Sequence, residues 1–105
     1  GWSMRRGPYV HGVTTLADYI QDTRRYTLKG FADKITCPTF ICRGELDEVS
    51  VSATLTYEAL TCPKEFVTFS AADGAGDHCE QGARQLYLAR SFGWLDALLE
   101  PARTA

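Results

Sequence analysis

The sequence lacks an excess of basic residues and any long apolar run. Lysine and arginine together number 11 against 13 acidic residues, which gives a formal net charge of -2. Because a nucleic-acid-binding surface needs clustered positive charge, this balance argues against a nucleic-acid partner. No apolar stretch approaches the roughly 20 residues that cross a membrane, and no apolar segment follows the first charged residues. We therefore expect a soluble, cytoplasmic protein that contacts neither nucleic acid nor membrane.

The four cysteines form no CxxC pair, and the spacing of cysteines and histidines is not that of a metal site. Cys37 and Cys42 flank or lie within a candidate buried strand, so reduced core thiols are the expected state. A nucleophilic Cys79 is disfavoured, because its base would have to be its neighbour His78 and adjacent side chains diverge. We expect no metal and no cofactor.

A short β-rich run between Pro38 and Gly44 is the first clear element. It contains Phe, Ile, Thr and Cys without polar alternation, which predicts a strand near 39–43 that is buried on both faces. Gly44 then turns the chain, and Asp47 follows in a loop at the carboxyl end of this strand. Open α/β sheets place ligand-binding and catalytic groups at that edge, so Asp47 is the first candidate site residue.

A helix is predicted after Asp47, capped by Ser50 or Ser52 and ending near Pro63, since proline cannot continue a helix. Its apolar positions fall roughly on one face: Val51, Leu55, Ala59 and Leu60.

A second β-rich run, near 65–70, completes a strand-helix-strand unit. Such a unit is parallel, so both strands end at the same edge of the sheet. The loop after the second strand spans 71–79 and contains His78. The topology therefore predicts that the imidazole of His78 lies beside the carboxylate of Asp47.

Helical patterns flank this unit. Thr15 and Asp18 resemble a capping box, which predicts a helix to Arg24 or Arg25, whereas residues 1–14 show little periodicity and are expected to be irregular or the end of a helix. A short helix is plausible over 28–35. A long helix over 81–99 carries an apolar stripe expected to pack on the sheet. The stripe contains Leu88, Phe92, Trp94, Leu95, Leu98 and Leu99.

These elements and motifs resemble the C-terminal part of an α/β-hydrolase. The resemblance rests on Gly-Glu-Leu-Asp at 44–47, Asp-Gly-Ala-Gly-Asp-His-Cys-Glu-Gln-Gly-Ala at 73–83, and Phe-Gly-Trp-Leu-Asp at 92–96. Together with 26–30 and 35–38, they are similar to a branch with fungal polyketide-shortening hydrolases and 2,6-dihydroxypseudooxynicotine hydrolase. This resemblance implies an α/β fold in which 1–34 resembles the end of a cap region, 35–100 forms the C-terminal βαβα lobe and 101–105 is a tail.

The resemblance implies that Asp47 is the acid and His78 the base of a catalytic triad. The family's nucleophile is a serine in a Gly-x-Ser-x-Gly turn that comes earlier in the chain, and no such motif is present here. The implied partners are a small-molecule substrate and either the missing N-terminal hydrolase part or a second copy of the chain. The implied reaction is hydrolysis of an ester or of a carbon–carbon bond beside a ketone.

Other interpretations of the same residues remain open. Asp47 is also a common turn residue, and His78 also suits a surface or helix-capping position. Without a nucleophile, the chain is either a degenerate hydrolase-like module that binds a ligand or partner, or an inactive piece of a longer enzyme.

Overall fold

The structure is a computed structural model that describes residues 2–100, with side chains from Met4 onward. The predicted tail at 101–105 lies outside the described residues. The chain divides into two compact units, Gly1–Phe31 and Ala32–Ala105.

Two helices, α1 (Trp2–His11) and α2 (Leu16–Thr23), form the first unit. Helix α2 confirms the prediction: the Thr15 side chain at its start accepts a hydrogen bond from the Asp18 N–H at 3.0 Å. Of the two alternatives predicted for 1–14, irregular structure or the end of a helix, the structure has a helix from Trp2 to His11. Gly7 and Pro8 inside α1 obscured the helical pattern.

Contacts between α1 and α2 explain why such a sequence is helical. Gly7 is buried with its backbone against the Tyr19 ring, where no larger residue would fit. The Nδ1 atom of His11 lies 2.7 Å from the Asp22 carboxylate, and the His11 ring meets the rings of Tyr19 and Tyr26 edge to face. Tertiary packing therefore overrides the weak local propensity of α1.

The second unit opens with a short 3₁₀ helix at Ala32–Lys34, in place of the short helix expected over 28–35. Gly30 has a φ of +77°, a left-handed conformation that interrupts a right-handed helix at this point. The expected helix is thus reduced to a single turn.

A two-stranded parallel sheet is the centre of the second unit among the described residues. Strand β1 (Thr39–Gly44) pairs with β2 (Lys64–Phe69), with Thr39 opposite Lys64 and Gly44 opposite Phe69. Helix α3 (Ala53–Ala59) connects them, so the predicted strand-helix-strand order and the parallel pairing are confirmed. Ser52 precedes α3, but its side chain makes no capping hydrogen bond. The prediction that the Ser52 side chain caps this helix is therefore wrong.

Leu60, Cys62 and Ala32 form the buried cluster of this unit, and Ile35 and Ile41 pack against it. The predicted double-sided burial of β1 is wrong, because its first five residues are half-buried and Gly44 alone is buried. Val51 and Leu55 of the predicted apolar face of α3 are exposed as well. A sheet of two strands offers too few neighbours to cover both faces of either strand.

Helix α4 spans Arg84–Leu99 and follows a 3₁₀ segment at His78–Ala83, so it begins three residues later than predicted. Trp94 packs on Phe40 of β1 and Tyr87 on Phe69 of β2, with ring centroids 5.5 and 6.0 Å apart. The rest of the predicted stripe is exposed in this chain. Its exposed members are Leu88, Phe92, Leu95, Leu98 and Leu99.

Candidate active site

The loops that follow β1 and β2 are joined by backbone hydrogen bonds. The N–H of Leu46 donates to the carbonyl of Gly76 at 2.8 Å, and the N–H of Glu45 donates to the carbonyl of Phe69 at 2.9 Å. The Glu45 carboxylate in turn accepts the N–H of Ala71 at 2.8 Å. These bonds hold the two loops side by side at the carboxyl edge of the sheet, where the parallel order of the strands predicts they should lie.

Asp47 and His78 meet at this edge. Nδ1 of His78 lies 3.0 Å from Oδ2 of Asp47, while Oδ1 of Asp47 accepts the N–H of Val49 at 2.9 Å. The Asp47 side chain is 4% exposed and that of His78 is 56% exposed. One partner is therefore anchored inside the protein, and the other presents its ring to the surroundings.

The pKa of the Asp47 carboxyl is lowered far below its usual value. The nearby Ser50 hydroxyl is the largest cause, burial opposes it, and the hydrogen bonds from His78 and Val49 lower it further. The Ser50 oxygen is buried and has no hydrogen bond of good geometry to a described residue, so it acts on Asp47 as a nearby dipole. Asp47 is consequently ionised at neutral pH.

The ionised carboxylate determines the protonation of the His78 ring. A carboxylate can only accept hydrogen bonds, so Nδ1 of His78 carries the proton and donates it to Asp47. Within residues 2–100 Nε2 takes part in no hydrogen bond, and in the neutral ring it carries the lone pair. A neutral imidazole held in this tautomer can remove a proton from a hydroxyl group placed against Nε2.

The backbone directly after His78 is strained. Cys79 and Glu80 have φ angles of 58° and 51°, in the left-handed region that residues other than glycine rarely adopt. Such a conformation costs roughly 1–2 kcal/mol per residue. The N–H of Glu80 bonds to the carbonyl of Asp77 at 3.0 Å, and the Glu80 side chain is buried, with the residue 6% exposed. Strain of this kind is concentrated at functional sites.

A cavity of about 320 Å³ adjoins the Asp47–His78 pair. Cys42 lines this cavity. Burial raises the pKa of its thiol, and the negative charge of Glu80 raises that pKa further. The cavity is lined by Cys42, Arg43, Asp47, Ser50, His78, Cys79, Glu80, Arg84 and Tyr87.

The cysteines only partly follow expectation. All four are free thiols, and Cys62 is buried, but Cys37 and Cys79 are exposed, so they are not core residues as predicted. Among residues 2–100 no group of three or more metal-ligating side chains is assembled.

Two residues of this site were missed by the sequence reasoning as site residues. The sequence predicts Ser50 only as a helix cap, and it predicts no role for Glu80 inside the His78 motif. The position of Ser50, three residues after the candidate acid, could have signalled a local contact with Asp47. No sequence signal indicates the burial of Glu80, because it depends on the left-handed turn after His78.

We expect Gly44→Ala to disturb this site. A Cβ atom there would collide with the carbonyl of Gly76 and lie 2.6 Å from that of Asp77, and both are backbone atoms of the loop that carries His78. Separating these loops should lower the free energy of unfolding by about 1–3 kcal/mol. Urea denaturation measures the loss, and loss of the His78 Nδ1–H signal in NMR spectra reports the broken contact.

Gly93→Ala is the matched control for this substitution. Gly93 lies inside α4, and no atom lies within 4 Å of the position of its missing Cβ. Alanine there should raise stability by up to about 1 kcal/mol, since it restricts the unfolded chain and favours the helix. If both variants had the same stability as the parent, the close contact at Gly44 would not matter to the fold.

Comparison with known proteins gives one relative with a named activity. Over an alignment of 105 positions, the chain is 30% identical to 20-hydroxy-prefusarin hydrolase FUS2 from Gibberella moniliformis. The alignment covers 91% of this chain and 25% of the relative, so the chain spans about a quarter of the length of the curated relative it matches. No protein-family model matches the chain. No solved structure matches it either.

This similarity supports a hydrolase-like relationship. With the parallel strands and helices of the second unit, it agrees with a partial α/β fold. In the part of the chain that is described, no helix has the length and apolar character needed to span a bilayer.

Proposed function

We propose that this chain supplies the acid and the base of a serine-type α/β-hydrolase. Asp47 is the orienting acid and His78 the general base, and the nucleophilic serine comes from another part of a longer chain or from a partner chain. The reaction is hydrolysis of an ester or of a carbon–carbon bond beside a ketone, through an acyl-enzyme and without a cofactor. The substrate is a small molecule of polyketide type.

The bond between His78 and Asp47 is the observation that carries this proposal. The buried, ionised carboxylate holds Nδ1–H at 3.0 Å and leaves Nε2 free, which is the arrangement that a triad base needs. The similarity to a fungal hydrolase along nearly the whole chain supports the same reaction class. That relative is named as a hydrolase of 20-hydroxy-prefusarin, which supports hydrolysis of a small molecule by the complete protein to which this chain contributes.

In the proposed catalytic cycle, this chain supplies the base and the acid, and the other part supplies the nucleophilic serine. Nε2 of His78 takes the proton of the serine hydroxyl as the oxygen attacks the carbonyl carbon, and His78 returns that proton to the leaving group. Asp47 stays ionised throughout and stabilises the imidazolium that forms. His78 then removes a proton from water, whose attack releases the acid product and regenerates the serine.

A chimera with the fungal relative tests the proposal. This chain replaces the quarter of the relative that it matches, and hydrolysis of the relative's own substrate and of activated esters is measured. We expect the chimera to turn over, while the isolated chain should not, because none of its five serines lies in a Gly-x-Ser-x-Gly turn. A chimera that folds cooperatively and lacks all turnover would contradict the proposal.

A degenerate module that binds a ligand or partner without turnover is the second candidate. The oxygen of Ser50, a serine that lines the cavity, has no hydrogen-bond partner among the described residues, so Ser50 is not bonded to the proposed base His78. Binding of a ketone-containing ester to a folded but inactive chimera would support this alternative.

A further inference from the structure

Glu80 is a buried carboxyl in the candidate site for which the triad chemistry has no role. The residue is 6% exposed, lies two positions after His78 and lines the same cavity as Asp47 and His78. No salt bridge joins Glu80 to a described residue. Buried acids without an ion-pair partner are uncommon, because the ionised form loses its hydration.

The titratable groups around Glu80 come from four parts of the second unit: β1, the loop after it, the 3₁₀ segment and α4. Burial is the largest cause of its raised pKa, the negative charge of Asp47 raises it further, and the positive charge available on His78 lowers it. Arg43 of β1 donates to the backbone carbonyls of Gly44 and Glu45, each at 3.3 Å, so it does not neutralise Glu80. The other titratable groups around the cavity are Cys42 of β1, Cys79 of the 3₁₀ segment, and Arg84 and Tyr87 of α4.

We propose that Glu80 is a positioning residue of the Asp47–His78 pair. When its carboxyl is ionised, it stabilises the imidazolium of His78. When its carboxyl is protonated, it does not repel the Asp47 carboxylate. This role rests on the proposed function. The left-handed backbone at Cys79 and Glu80 accompanies the burial of Glu80, which lines the same cavity as Asp47 and His78.

The sign of the coupling follows from electrostatics. An ionised Glu80 attracts the positive charge that His78 acquires when it accepts the proton of the nucleophile, so it lowers the barrier of that step. The same negative charge repels Asp47, which disfavours ionisation of Glu80 in the resting protein. The charge of Glu80 therefore matters most in the state where His78 is protonated.

The coupling can be measured in the chain by itself, independently of turnover. The ¹³C signals of the glutamate side-chain carboxyls are followed by NMR across the acid and neutral range in the parent, Asp47→Asn and His78→Ala. We expect the Glu80 titration to lie above the ordinary value of a glutamate carboxyl, to move lower in Asp47→Asn and to move higher in His78→Ala.

Other results of this titration would overturn the proposal. A Glu80 midpoint at the ordinary glutamate value would contradict the proposal in the parent protein, even if both variants failed to fold. An elevated midpoint that neither variant moves would leave Glu80 with a purely structural role.

A kinetic measurement in the active chimera tests the consequence for catalysis. At pH values where Glu80 is ionised, Glu80→Gln should lower kcat by roughly tenfold and leave KM unchanged. At pH values where Glu80 is protonated, the two proteins should have the same kcat. Glu48→Gln, an exposed acid beside Asp47 in sequence, is the matched control and should retain the parent profile. A pH-independent loss, or equal profiles for parent and Glu80→Gln, would contradict the role of the charge. An inactive chimera would count against the proposed function and leave the NMR test of Glu80 standing.

Discussion

Replacing His78 by alanine in the active chimera should lower kcat by roughly 10⁴- to 10⁶-fold, and Asp47→Asn should lower it by roughly 10⁴-fold. Without His78 no base accepts the serine proton. Without the Asp47 carboxylate, the ring loses the partner that holds the proton on Nδ1, and Nε2 becomes the protonated nitrogen. Initial rates with an activated ester measure both losses, and thermal unfolding of each variant shows whether the fold is retained.

Two control variants distinguish loss of a catalytic group from a general loss of folded structure. His11→Ala removes a second histidine that is also bonded to an aspartate, and Asp73→Asn neutralises an exposed acid in the loop that carries His78. Neither belongs to the proposed machinery, so each should keep turnover within about twofold, corresponding to less than about 0.5 kcal/mol in the barrier. Turnover that is indifferent to His78→Ala and Asp47→Asn would exclude them as base and acid.

Leu60→Ala should strongly destabilise the second unit. Leu60 is 2% exposed and packs in the small buried cluster with Ala32 and Cys62. Truncating a buried leucine to alanine removes apolar burial and leaves a cavity, at a cost of about 2–5 kcal/mol. Because small domains have total stabilities of about 5–15 kcal/mol, this loss removes a large share of the folded population.

Leu55→Ala is the control for this substitution. Leu55 belongs to the adjoining helix α3 but is 67% exposed, so its truncation should change stability by no more than about 0.5 kcal/mol. Urea unfolding followed by circular dichroism measures both variants in the isolated chain. Equal losses for Leu55 and Leu60 would mean that the cluster around Leu60 is not the core of this unit.

The elements set by local pattern were predictable. Both strands, their parallel pairing and helix α2 follow from β-rich runs, from a connecting helix and from the Thr15 cap. The meeting of Asp47 with His78 also follows from topology, since parallel strands end at one edge. The catalytic role of the pair remains a prediction, because no observation yet links it to turnover.

The elements set by distant contacts were not predictable. Helix α1 contains Gly7 and Pro8 and depends on the Tyr19 ring and on the His11–Asp22 bond. Helix α4 contacts the sheet through Tyr87 and Trp94, while most of its leucines are exposed. A helical period indicates which residues share a face, but burial of that face requires a neighbour of sufficient area.

The sequence by itself determined the order of the strands and helices and the edge at which the candidate acid and base meet, because these follow from local propensity and from the handed, parallel geometry of a strand-helix-strand unit. Tertiary structure alone decided the burial and the lowered pKa of Asp47, the Ser50 hydroxyl beside it and the burial of Glu80. These features arise from backbone approach and desolvation among residues brought together by folding. No periodicity in the chain encodes them.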